Sequence, residues 1–178
     1  MRVGQGVDVH AFSGDPDRPL VLGGLRLPEG PGLVGHSDAD ALLHALIDAL
    51  LGACGAGDIG LMFGSEDPTL RDADSSVFLA AAMSTVTDAG LVVANADLTV
   101  VAARPRIGPH RQRIAARVAE LLEVSPDRVN LKATTTDGLG FTGRGEGLAA
   151  LAVVLLEPSG LSGPDVRGSA AGSSPADR

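Results

Sequence analysis

Near the start of the chain, in MRVGQGVDVH, a carboxylate and an imidazole stand two residues apart: Asp8 and His10. The β-branched Val3, Val7 and Val9 make this stretch a strand, and on a strand positions i and i+2 share a face. A carboxylate beside an imidazole suits a borderline ion such as zinc. The plainer alternative is a surface Asp and a half-buried His at a strand end. Further on, GHSDADALLHALIDALLGACGAG holds His36 and His44 among Asp38, Asp40 and Asp48. Asp40, His44 and Asp48 are spaced four apart and would line one helix face. Early acids are also what a helix dipole favours, which accounts for Asp38 and Asp40. It does not account for His44 and Asp48, whose neighbours are Leu, Ala and Ile and which therefore need partners. Together Asp8, His10 and His44 make three ligands with an open fourth position, the pattern of a catalytic zinc site, one ion per chain. Asp48 is then expected to accept the second ring N–H of His44, with a helix-surface role as the alternative.

A second group is Lys132-Ala-Thr-Thr-Thr-Asp137, which contains the only lysine of the chain. The hydroxyls and N–H groups of Thr134, Thr135 and Thr136 suit phosphate oxygens, and Asp137 suits a magnesium ion. A β-branched strand end is the competing explanation. The following GFTGRGEG lacks the Gly-Lys-Ser/Thr of a Walker loop and matches no dinucleotide fingerprint. A third group is Ala102, Ala103, Arg104, Pro105, Arg106, Ile107 and Gly108, a strand-to-helix junction whose backbone could read a nucleobase or could be a loop with exposed arginines. Arg113 and Arg117 read as a solvated helix face, and Cys54 as a small buried residue.

These groups need elements to hold them. Strands are predicted over residues 1–10, 95–103, 129–135 and 148–156, with a hairpin over 20–27 around Gly23-Gly24. Helices are predicted from an N-cap at Ser37 with acids in its first turn, over 74–89, and from Pro109 onward. Residues 58–68 read as a loop. From Pro158 to Arg178 the chain is mostly Ser, Gly, Pro, Ala and Asp, and is expected to be a disordered tail behind a domain of residues 1–157. The expected fold is α+β, a mixed sheet with helices on one side. Aromatics are 2% of the chain, so the core must be Leu, Val, Ile and Ala. The net charge of −8 argues against a nucleic-acid partner or an anionic membrane surface. One cysteine leaves no internal disulfide, and neither a signal pattern nor a spanning segment is visible, so a cytoplasmic protein is expected.

The segments DVHAF, HSDADALLHALIDALLGA, GDIG, NADLTVVAARPRIGPH and VNLKATTTDGLGFTGRGEG, in this order and spacing, resemble the methylerythritol cyclodiphosphate synthases of bacterial isoprenoid synthesis. The resemblance covers residues 1–157. It implies conversion of CDP-methylerythritol 2-phosphate to the cyclic diphosphate with release of CMP, a phosphorus–oxygen lyase reaction. It implies a homotrimer with active sites between subunits, zinc on Asp8, His10 and His44, and magnesium or manganese with the substrate diphosphate. Asp8, His10, His36 and Ser37 would touch substrate. Asp58, Ile59, Gly60, Phe63 and Asp67 would hold the methylerythritol phosphate part. Residues 102–108 with 132–135 would hold the CDP part. His36 and Thr135 match the positions credited with stabilising the transition state. Phe141, Arg144 and Glu146 match residues at the threefold axis, where family members can hold an isoprenoid diphosphate. Two departures stand out: the family commonly has Glu where Asp137 stands, and Pro-Asp where Gly64-Ser65 stands. A zinc phosphoesterase using the same ligands, and a non-catalytic trimer binding isoprenoid diphosphates, are the competing functions.

Overall fold

Alternating burial along four strands builds the central sheet. In the computed structural model, which describes residues 1–64 and 73–160, the strand order is β1 (Arg2–Ala11), β6 (Gly147–Pro158), β4 (Leu91–Val101), β5 (Val129–Thr134). β6 is antiparallel to both its neighbours, and β4 and β5 are parallel, so the sheet is mixed and the fold α+β. Leu148, Ala150, Ala152, Val154 and Leu156 of β6 are fully buried, while Val153 between them is exposed. The period of two puts every second residue under the helices α1 (Ala41–Cys54), α3 (Ser75–Asp88) and α4 (Arg111–Leu121). The hairpin β2 (Leu20–Leu22) and β3 (Leu25–Leu27) turns on Gly23 and Gly24, whose φ values of 64° and 72° are those of the type I′ turn that two-residue hairpins favour. Leu and Ile dominate the largest buried side chains, as the scarcity of aromatics requires.

Apart from His44 and Asp48, α1 is apolar because it is largely enclosed: Leu42, Leu43, Leu46, Ile47, Leu50 and Leu51 are each 0% exposed. Its approach to β1 is set by glycine. A Cβ built on Gly4 would lie 1.8 Å from Ala49 O, and one on Gly6 2.0 Å from Ala45 O. Only Gly at both positions lets the helix backbone lie directly on the strand. The next two inward positions of β1 are Asp8 and His10, and the residue before Ala45 is His44. Close packing of these two elements therefore brings the three side chains together.

Several boundaries differ from the sequence-based expectation. The N-cap of α1 is Asp40, not Ser37. The Asp40 carboxylate accepts from Leu42 N and Leu43 N and also from Gly23 N and Gly24 N of the hairpin turn. Ser37 Oγ can satisfy only Ala39 N, so the carboxylate that serves both elements takes the cap. Asp38 and Asp40 thus precede the helix and do not fill its first turn. The predicted loop at 58–68 contains a short helix α2 (Ile59–Phe63), capped by Asp58 onto Leu61 N at 2.8 Å. β4 begins four residues earlier than expected, with a register shift between Val93 and Asn95. A further short helix, α5 (Gly140–Gly143), lies within the glycine-rich run. Pro158 still belongs to β6 and Ser159 N donates to Gly90 O; residues 161–178, most of the expected tail, lie outside the described residues.

Candidate metal site and substrate cleft

Asp8 Oδ2 lies 2.8 Å from His10 Nε2 and 3.1 Å from His44 Nδ1. One ligand atom from each residue falls within 4.8 Å of the others, and this is the metal-capable cluster among the described residues. His10 Nδ1 lies 2.6 Å from Val34 O. A carbonyl only accepts, so Nδ1 carries the hydrogen and a neutral His10 turns its Nε2 lone pair toward Asp8. A lone pair facing a carboxylate oxygen is attractive only with a cation between or upon them, a metal ion or a proton. The donor set thus fits a divalent ion with imidazole and carboxylate ligands. Burial alone would raise the Asp8 carboxyl, but the hydrogen bonds of His10 and His44 hold it well below the carboxylate range. Burial works to lower His10, and the hydrogen bond and charge of Asp8 outweigh it and raise it above its ordinary value.

Beside this cluster is a cavity of about 250 Å³ lined by His10, His36, Ser37, His44, Ile59, Gly60, Phe63 and Phe78. Phe63 and Phe78 stack in a tilted pair at 4.8 Å and form its apolar side. His36 is exposed at this cavity, and Ser37 is buried with its Oγ 3.4 Å from His44 Nε2. The loop carrying both is held by Arg18, whose guanidinium donates to Leu33 O, to Gly35 O at 3.1 Å and to Ser37 O at 2.7 Å. A cleft of about 420 Å³ between α3, β4 and the end of α4 is lined by Thr87, Glu123, Ser125 and Arg128 among apolar residues and contains no histidine.

Asp48 does not orient His44. Its carboxylate accepts from Ile59 N at 2.9 Å and so ties α1 to the start of α2, while burial pushes its carboxyl up. Nor do Asp40 and Asp48 flank His44 as a row, since Asp40 is consumed by the hairpin and cap. The ring nitrogens of His44 instead meet Asp8 and Ser75, the latter at 2.9 Å. Ser75 and Arg18 carried no signal in the sequence, because their partners lie 15 to 37 positions away. Asp58 is exposed at the cap of α2, Gly60 is exposed and lines the cavity, and Asp67 lies outside the described residues.

The remaining expected residues gather at the other edge of the sheet. Ala102 N donates to Thr134 O at 3.0 Å, which lays the 102–108 segment along the end of β5. Ala102, Pro105 and Ile107 are buried, while Ala103, Arg104, Arg106 and Gly108 are exposed. Lys132 and Thr134 are exposed, and Lys132 Nζ is paired with Asp97, which also accepts from Asn130 at 2.8 Å. That Lys132 contact, with burial opposing it, keeps Asp97 below its ordinary value. Thr135 Oγ1 donates to Asp137 Oδ1 at 3.0 Å, and Asp137 sits at φ 52°, an uncommon conformation for a non-glycine residue. Thr136 Oγ1 bonds Thr142 Oγ1 at 2.9 Å. Arg144 forms a two-pronged pair with Glu146 at 2.7 and 3.1 Å beside the half-exposed Phe141.

An α+β chain with an Asp-His-His cluster beside a cleft is a scaffold able to hold a divalent ion next to a bound molecule. The chain belongs to the YgbB family, whose model matches residues 1–157. It is 52% identical over 155 residues to the 2-C-methyl-D-erythritol 2,4-cyclodiphosphate synthase of Lysinibacillus sphaericus, covering 87% of this chain and 97% of that one. It is 51% identical over 156 residues to the enzyme of the same name from Bacillus mycoides, covering 88% and 98%. Among solved structures, a CDP-bound form of 2C-methyl-D-erythritol-2,4-cyclodiphosphate synthase matches with a TM-score of 0.79 and 42% identity, covering 88% of this chain and all of that one. The bifunctional IspDF of Campylobacter jejuni matches with a TM-score of 0.83 and 40% identity, covering 88% of this chain and 42% of that one.

Proposed function

We propose that this chain is a 2-C-methyl-D-erythritol 2,4-cyclodiphosphate synthase. The observation that carries this is the Asp8-His10-His44 cluster facing a cleft, in a chain half identical to enzymes of that name. In the proposed reaction an oxygen of the substrate's 2-phosphate attacks the β-phosphorus of its CDP group. The bond from that phosphorus to the bridging oxygen breaks, and CMP leaves with that oxygen. No protein nucleophile is needed. The chain's work is to fold the substrate so that attacking and leaving oxygens are in line, which can supply roughly 7–11 kcal/mol. His36 and Ser37 line the cavity where the phosphorylated methylerythritol part would lie, with Ile59, Gly60 and Phe63 against its carbon chain. Residues 102–108 and Lys132 to Thr136 would hold the CDP part, with Thr135 and His36 donating to charge that builds on the phosphoryl oxygens. Asp8, His10 and His44 would hold zinc, and Asp137 magnesium. Ions so placed, when bound, neutralise diphosphate charge.

A homotrimer belongs to this proposal, and two observations support it. β1, with the metal cluster, and β5, with the nucleotide segment, are opposite edges of one sheet. Three strand spacings of about 4.8 Å separate them by about 14 Å, which favours completion of each site by a neighbouring copy. Over β1 and β6 the sheet face away from the helices is also apolar, with Val3, Val7, Val9 and Val153 exposed. An isoprenoid diphosphate near Phe141 would have to displace Glu146 from Arg144. A bacterial cytoplasmic setting is proposed with the rest; no helix among the described residues is long and apolar enough to cross a membrane.

The test is incubation with CDP-methylerythritol 2-phosphate, zinc and magnesium, with products identified by phosphorus NMR. The cyclic diphosphate and CMP are expected. Inorganic phosphate or a linear product would mean a phosphoesterase, and no turnover would mean a binding protein.

A further inference from the structure

We infer that Ser75, with Asp38 behind it, is the positioning group that makes His44 a metal ligand through Nδ1, so that metal affinity depends on how the start of α3 is seated. Ser75 is fully buried, at the first residue of α3. Its hydroxyl has a single proton. Asp38 Oδ1 lies 2.5 Å away and Asp38 Oδ2 accepts from Ser75 N at 3.1 Å, so the carboxylate grips both polar groups of this residue. The hydroxyl proton goes to Asp38, the acceptor. Ser75 Oγ is then left as an acceptor toward His44 Nε2 at 2.9 Å, and that nitrogen must carry the ring hydrogen. The Nδ1 lone pair of His44 is thereby fixed toward Asp8 Oδ2, as Val34 O fixes the lone pair of His10 on Nε2. Ser37 Oγ is a poorer partner for Nε2, at 3.4 Å, and already receives Ala39 N. Asp38 is itself anchored, accepting from Asp40 N and donating its own N–H to Ala73 O, so the relay joins the entry to α1 to the entry to α3.

The inference rests on the reading of Asp8, His10 and His44 as a zinc site, and on nothing about the substrate. Its test is zinc affinity of the full chain, measured by competition with a chelator of known affinity, for wild type, Ser75→Ala, Asp38→Asn and Ser75→Thr. Nitrogen-15 NMR of the zinc-loaded wild type reports the His44 tautomer. Ser75→Ala is expected to weaken zinc by about 10–100-fold, the usual effect of removing the hydrogen-bond partner of a metal-bound imidazole. Ser75→Thr, which keeps the hydroxyl, should recover most of it, and Asp38→Asn should fall between. His44 should carry its hydrogen on Nε2. Wild-type affinity in Ser75→Ala, or a hydrogen on His44 Nδ1, overturns the inference, and the NMR result decides even if the alanine variant does not fold. A wild-type chain that takes up no zinc overturns the metal reading itself, and this inference with it.

Discussion

One carboxylate oxygen, Asp8 Oδ2, lies within hydrogen-bonding distance of two imidazoles, and what sits among them depends on pH. Without metal, the raised His10 and the lowered Asp8 describe a proton held between them. The His10 share of this stabilisation is complete below its unfolded value near 6.5 and is lost as pH rises through its raised folded value. The Asp8 share is complete above its unfolded value near 3.8 and is lost as pH falls through its depressed folded value. The metal-free protein therefore gains most from the pair between about pH 4 and 6.5. Zinc needs the same lone pair and must displace that proton. Thermal unfolding of zinc-loaded against chelator-treated protein should show a small difference near pH 5.5 and a much larger one near pH 8. An increment that is equal at both values would mean that His10 is not a ligand. Asp137 offers a second check. Its side chain is one methylene shorter than that of Glu, about 1.5 Å less reach. Asp137→Ala should cut turnover sharply with zinc content unchanged, and Asp137→Glu should alter the magnesium requirement more than the zinc content. Full activity of Asp137→Ala at low magnesium would make Asp137 a loop residue only. Asp8, His10 and His44 were readable because strand alternation and an apolar helix context are local signals. Asp38, Asp40 and Asp48 were not, because their partners Ser75, the Gly23-Gly24 turn and Ile59 come from elsewhere in the fold.

At the scale of elements, the contact between β1 and α1 positions the cluster. A methyl group at Gly6 would meet Ala45 O and Ala49 N, at 2.0 and 2.9 Å, and backbone cannot step aside as a side-chain tip can. Gly6→Ala should therefore cost about 1–3 kcal/mol or more in chemical denaturation, the range for overpacking a tight core. It should also weaken zinc, because His44 adjoins the residue that is pushed away. Gly4→Ala meets Ala49 O, more than a helical turn from His44, and should destabilise with a smaller loss of zinc. Equal zinc affinity in Gly6→Ala and wild type would separate the packing from the site. The strands and the three long helices were legible in the sequence, since β6 is a bounded apolar run and the Leu and Ile residues of α1 recur at helical spacing. The start of α1 was not, because Asp40 wins the cap through donors in the hairpin. The short helices α2 and α5 span five and four residues, too few to show a helical period.

At the scale of the molecule, the sheet separates two half-sites that the proposed chemistry must combine. The Asp8-His10-His44 cluster faces the helices from the β1 edge, and the 102–108 segment lies by β5 at the other. Nothing in a single sequence shows this separation, because strand order β1-β6-β4-β5 is a product of long-range pairing. If neighbouring copies complete each other's sites, the interface must use the sheet face that the helices leave open. Val7 lies on that face, 49% exposed, and points away from the face carrying Asp8. A charge there would be desolvated on assembly but harmless in a free subunit. Val7→Asp is therefore expected to give monomers in light scattering, with zinc content kept at one per chain. Synthase activity should fall by at least about a hundredfold, since even a misplacement of about 1 Å can cost that much. Val77→Asp is the control: Val77 is 62% exposed on α3, on the helical side, and its variant should keep both assembly and activity. Monomeric Val7→Asp that retains full turnover would show that one chain carries a complete site, and the shared-site proposal would fall while the metal cluster stood.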